Sequence, residues 1–165
     1  MNEILAQAVK YQRTYHIVGR AHYLAADLYS ALNHIFGIPV VVITTLVGTT
    51  IFGTLDKNPD HRWKIAAGLI TLMGAVLSAL QTSFGFAQTA EKHKAAGEAY
   101  RAIRRQFEIF QLKYSPERPE ERAAAVTELE KIVSQLADLP KNFPTIPERC
   151  YVKAQKEEEK RDKQQ

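Results

Sequence analysis

Apolar and polar positions divide this chain into blocks. None of its 22 Lys and Arg or 18 Asp and Glu residues falls in Leu28–Leu55 or in Ile65–Ala90. Within the first block, "IFGIPVVVITTLVGTTIFGTL" (Ile35–Leu55) is 21 residues long. About 20 residues at 1.5 Å each match the hydrocarbon thickness of a bilayer. The second block is longer, and the strip "DKNPDHRWK" between them carries an Asn-Pro turn signal. The pattern predicts two membrane spans, about 35–55 and 64–86, closed into a helical hairpin. A soluble bundle with a buried central hairpin is the alternative. A soluble helix normally keeps a polar face, however, and neither run has a charged residue on any face. Glycine recurs in both runs and Tyr29, Phe36 and Trp63 stand near their ends, as in membrane helices. Pro39 removes a backbone donor and is expected to bend or begin the first span.

Outside the spans the spacing changes. Ile4, Ala8, Tyr11, Tyr15, Val18, His22, Ala25, Tyr29, Leu32 and Phe36 follow one another at intervals of three and four. Phe86, Thr89, His93, Ala96, Tyr100, Ile103, Phe107, Phe110 and Tyr114 do the same. These are heptad seams, which face one another if the hairpin is antiparallel. They predict a helical stalk, residues 2–34 and 87–139. The stalk includes a third helix from Ser115, its expected N-cap, with Val126, Leu129, Val133 and Leu136 as its apolar stripe. Pro140, Pro144 and Pro147 predict an extended strap over 140–150. Residues 156–165 read as a charged tail, either a frayed helix or disordered. The fold class is therefore an all-α membrane protein: a two-span transmembrane hairpin with long cytoplasmic helical extensions and a third packed helix, in a single domain over 1–155.

Charge sets the orientation. Arg13, Arg20, Lys92, Lys94, Arg101, Arg104 and Arg105 lie close to the spans on the terminal side, against Lys57, Arg62 and Lys64 in the connection. The positive-inside rule then puts both termini in the cytoplasm of a multi-pass cell-membrane protein. The net charge of +4 is modest. It suits a solvated surface and gives no reason to expect nucleic acid as a partner. The N-terminus lacks the early apolar run of a signal peptide. Cys150 stands alone, so no disulfide framework is expected.

Catalytic patterns are missing. The chain has no Gly-rich phosphate loop, nucleophile elbow or zinc spacing. No Glu is followed by a His three residues later, as di-iron bundles require. The expectation is a protein that is not an enzyme and uses no cofactor or metal. His22 and His93 fall on the seams, where a satisfied packing histidine is expected.

The spans hold the remaining candidates. Ala67, Thr71, Ala75, Ala79 and Ser83 recur every fourth residue, a small-residue stripe of the kind that lets membrane helices approach. Leu69, Met73, Val76 and Leu80 form the bulky side, expected to face lipid. In the first span Thr44, Thr45, Gly48 and Thr49 spread over a broad arc. Threonine in a span often bonds back to its own carbonyls. The alternative is assembly with further copies of the chain, the hydroxyls lining a polar path between protomers. Arg101, Arg104 and Arg105 would then repeat as a cytoplasmic basic ring, or else form an ordinary solvated face.

Two spans, then "AEKHKAAGEAYRAIRRQFE", a further helix and "PTIPERCYVKA" resemble the SLATT family, the SMODS- and SLOG-associating two-transmembrane effector domains of bacteria. The resemblance covers roughly residues 5–155 and is carried by His93, Gly97, Tyr100, Pro144, Ile146, Pro147 and Tyr151. It implies an effector of bacterial conflict or antiphage systems. Such an effector would oligomerise in the inner membrane and permeabilise it when a nucleotide-producing or nucleotide-sensing partner protein signals. A membrane-anchored helical scaffold that recruits a cytosolic partner without a pore is the competing reading.

Overall fold

The computed structural model describes residues 1–54, 61–115 and 117–164. The strip at 55–60, where the polar turn between the spans is expected, lies outside them. The elements are α1 (Asn2–Thr54), α2 (His61–Phe84), α3 (Phe86–Lys113), α4 (Arg122–Asp138) and α5 (Glu148–Asp162). No strand occurs among the described residues. Pro39 lies inside α1, which continues through it rather than restarting there. Between α2 and α3, Gly85 takes φ +55°, a left-handed conformation that a side chain would strain. The chain forms two compact units: Met1–Asp27 with Thr89–Gln165, and Leu28–Gln88.

The first, polar unit is built on the two seams. Ile4, Ala8, Tyr100, Ile103, Phe107, Phe110 and Tyr114 form its core with Ala125, Ile132 and Leu136 of α4. The rings stack along the seam. Tyr15 lies 5.9 Å from Tyr100 and 6.4 Å from Phe107, and Tyr11 lies 5.7 Å from Phe107. Offset ring pairs at such distances add to the area they remove from water. Phe107 and Phe110 are among the largest side chains fully enclosed.

The third helix begins later than Ser115. A short 3₁₀ turn, Pro119–Glu121, precedes α4, because a proline disfavours helical geometry at the residue before it. The Ser115 hydroxyl instead accepts the Glu117 N–H at 3.3 Å. Of the expected stripe, Leu136 is buried, Leu129 and Val133 are half-buried against the core, and Val126 is exposed.

The strap is shorter than its prolines suggest. A second 3₁₀ turn covers Leu139–Asn142, and α5 already starts at Glu148, with Pro147 at its cap. Phe143 lies 6.0 Å from Tyr100 and 6.1 Å from His22, edge-on to the histidine. Of the two readings of the charged tail, the structure takes the helix: α5 runs to Asp162. It buries Cys150, Ala154 and Glu158, spaced one turn apart. Its acids meet the bases of α1, Arg13 with Asp162, His16 with Glu158 at 2.9 Å and Arg20 with Glu157 at 2.7 Å. The Glu158 carboxylate also accepts from Arg161 at 2.6 Å, so this buried acid is answered from two sides.

The second, apolar unit is organised the other way. Its large side chains point outward: Ile35, Ile38, Val41, Leu46, Leu69, Leu72, Met73 and Val76 are all exposed. Each half of the hairpin contains an 18-residue window apolar enough to cross a bilayer, and none of the first and 6% of the second is buried. A soluble core hairpin would hide these residues. This one presents them to its surroundings, as a membrane span does. The chain is an all-helical, two-span membrane protein.

Candidate functional site

The hairpin seam is made by glycine and amide groups. A Cβ on Gly74 would lie 3.2 Å from Ile43 Cγ2 and 4.0 Å from Thr44 Cγ2, so the α2 backbone runs against α1 side chains there. A Cβ on Gly37 would lie 2.8 Å from Gln81 Nε2. The Gln81 amide thus rests over Gly37, from where it donates to Asn33 Oδ1 at 3.3 Å. An amide pair of this kind joins membrane helices where water is absent to compete. At one end of the unit, Phe86 stacks on Phe36 at 5.5 Å and on Tyr29 at 6.5 Å.

The expected stripe lies largely off this seam. Thr71, Ala75, Ala79 and Ser83 are exposed, and Ala67 is half-buried. In α1, Thr44, Thr45 and Thr49 are exposed, and Gly48 has nothing within 4 Å of where a Cβ would stand. The outward face of the hairpin therefore holds its alanines and threonines beside its bulky aliphatics. The hydroxyls bond backward. Thr44 donates to Val40 O at 2.8 Å, Thr45 to Val41 O at 2.7 Å, Thr49 to Thr45 O at 3.0 Å and Thr71 to Ala67 O at 2.7 Å. Such bonds satisfy each donor locally and hide its polarity from lipid.

The polar unit brings together residues the spacing did not pair. His22 Nδ1 and His93 Nδ1 face each other at 2.9 Å, both rings buried. At that distance one ring donates and the other accepts, so only one of the two nitrogens carries hydrogen. Burial, and secondarily the neighbouring His93, lowers the His22 pKa to about 4. Burial also lowers that of His93. His16 is lowered as well, burial outweighing the attraction of Glu158. The pair needed α1 and α3 to be registered before it could be seen; the only advance signal was that both histidines sit on seams.

The three arginines of the expected ring part company. Arg101 and Arg104 line a cleft on the polar unit that also takes Arg20 from α1. Arg104 additionally reaches Glu108 one turn on, at 2.8 Å. Arg105 is exposed and is not among the residues of that cleft. Among the described residues no cluster of His, Cys, Asp and Glu has the make-up of a metal site.

The model of the SMODS and SLOG-associating 2TM effector domain family 4 matches residues 10–165. The chain belongs to this SLATT family. The match includes α5 through its end, in keeping with a helix that packs rather than trails. No curated protein and no solved structure matches this SLATT chain.

Proposed function

We propose that this SLATT chain is an effector of bacterial conflict, antiphage defence included. It assembles with further copies of itself in the inner membrane, both termini cytoplasmic. A nucleotide-producing or nucleotide-sensing partner protein triggers it to permeabilise that membrane. The observation that carries the assembly step is the placement of the small residues. The hairpin uses Gly37 and Gly74 for its own closure, which leaves Gly48, Thr71, Ala75 and Ala79 outward. Large aliphatics would serve lipid equally well, whereas small residues admit a second helix. The activation step requires two arrangements of one assembly, with the signal binding them unequally.

Purified protein in dye-loaded liposomes is expected to release dye once activated, and overexpression to be toxic. Intact liposomes under every signal tried, with no toxicity, would remove the pore. Ala75→Leu with Ala79→Leu is expected to weaken crosslinked oligomers while leaving insertion unchanged.

One observation favours a recruiting scaffold instead. On α3 of the polar unit, Leu112 is 88% exposed and Ile109 55% exposed, a small apolar patch outside the spans. If a partner docks there, replacing both spans by an unrelated anchor preserves capture, and Leu112→Asp abolishes it.

A further inference from the structure

The cleft between α1 and α3 gathers three guanidinium groups from two helices. It is lined by Arg20, Arg101 and Arg104, with Tyr15 and Tyr23 between them, and no acidic residue is part of the lining. Its volume is about 250 Å³. Buried glycines bring the two helices together here. A Cβ on Gly97 would lie 3.0 Å from the Tyr23 ring, and one on Gly19 would lie 3.2 Å from Tyr100 Cβ. Beside the arginines, the Tyr23 hydroxyl oxygen is buried. Its polar neighbours are Glu98 and Arg101.

We infer that this cleft binds a small phosphate: inorganic phosphate or pyrophosphate, or the phosphomonoester end of a lipid headgroup. Three features select that chemistry. A carboxylate is planar and takes one guanidinium fork, as Glu157 does with Arg20 at 2.7 Å. A tetrahedral dianion accepts from several directions and can use all three arginines. The volume falls below the roughly 300–1,000 Å³ of sites for drug-sized ligands, so the ligand is small. Finally, the unit supplies internal competitors, because Glu157 of α5 occupies Arg20 and Glu108 occupies Arg104. The ligand must draw Arg20 from Glu157, so binding loosens one of the ion pairs that hold α5 to α1.

The inference does not depend on pore formation. The test is calorimetric titration of inorganic pyrophosphate into the full chain in nanodiscs of neutral phosphatidylcholine. Saturable binding is expected. Arg101→Gln should weaken it at least tenfold, whereas Arg105→Gln, which removes the same charge from the same helix outside the cleft, should leave it within twofold. Glu157→Gln should tighten binding severalfold and Glu159→Gln should not. If Arg101→Gln fails to fold, Arg101→Lys carries the same test: it keeps the charge, loses the fork and is expected to bind severalfold more weakly. In discs containing phosphatidic acid, loss of the pyrophosphate signal assigns the cleft to a lipid headgroup, and its persistence assigns it to a soluble phosphate. No saturable binding in neutral discs, or equal weakening by Arg101→Gln and Arg105→Gln, overturns the site.

Discussion

The polar and apolar units use the same helical geometry and invert each other's contents. In the polar unit, Phe107, Phe110 and Tyr100 are enclosed, and the charged side chains, Glu158 excepted, lie at least partly outside. In the apolar unit, the aliphatics lie outside, while Gly74 is buried and Gln81 is half-buried at the seam. The difference follows from the solvent. Water drives large apolar surface inward. Lipid gives no such drive, so helices there meet through close backbone contact and shared polar groups.

The largest effect that sharpens this contrast is a core truncation. Phe107→Ala is expected to cost the polar unit about 3–5 kcal/mol, as burial and cavity effects combine. Leu72→Ala, on the outward face of α2, should change stability by less than about 0.5 kcal/mol. Denaturant unfolding in detergent, followed by circular dichroism, measures both. Similar costs would break the comparison, because Leu72 would then be packed rather than lipid-facing.

Next comes acid. His22 has a folded pKa of about 4, below the ordinary histidine value of about 6.5, so the unfolded chain takes up its proton first. Its contribution is complete above pH 6.5 and declines as pH falls toward 4, by on the order of 3 kcal/mol at most. The depressed pKa of His93 acts in the same direction. Thermal unfolding across that pH window should show the loss, and His22→Gln with His93→Gln should flatten it. The apolar unit has no counterpart to this pair among its described residues, so its helicity should persist through the same window.

Glycine substitutions separate the hairpin's inner and outer faces. Gly74→Val forces Ile43 aside and is expected to cost about 1–3 kcal/mol. Gly48→Ala meets open space and should favour the isolated helix by up to about 1 kcal/mol. If copies pack against that face, the same change weakens crosslinked oligomers, and a chain stabilised in monomer but not weakened in assembly would argue against Gly48 as a contact. The smallest effect is expected at Gly85. Its φ of +55° makes Gly85→Ala unfavourable by about 1 kcal/mol, read as a small drop in melting temperature.

Much of this was legible in advance because period carries burial. The seams from Ile4 and from Phe86 repeat every three or four residues, and the structure buries most of their members in the polar unit. The two uncharged runs are long enough to span, and they expose their bulk. Other features lay beyond a linear reading. Eight of the ten residues from Lys153 to Asp162 are charged, which reads as solvated tail; only the contacts of Glu158 with His16 and Arg161 show that one of those acids is enclosed. In α2 a four-residue repeat and a seven-residue repeat overlap. Thr71 and Ala75 stood out, while Gly74, Leu77 and Gln81 lie nearer the seam. The cleft arginines needed Arg20, some eighty positions away in the chain, to be drawn as a group.

The backward-bonded threonines fix what the outward face can offer a neighbour. With their hydrogens directed at Val40, Val41, Thr45 and Ala67 carbonyls, Thr44, Thr45, Thr49 and Thr71 turn oxygen lone pairs outward. A conduit walled by such oxygens solvates metal cations and protons of water far better than it solvates chloride. If copies assemble around such a conduit as proposed, its conductance should discriminate by the sign of the ion before it discriminates by size.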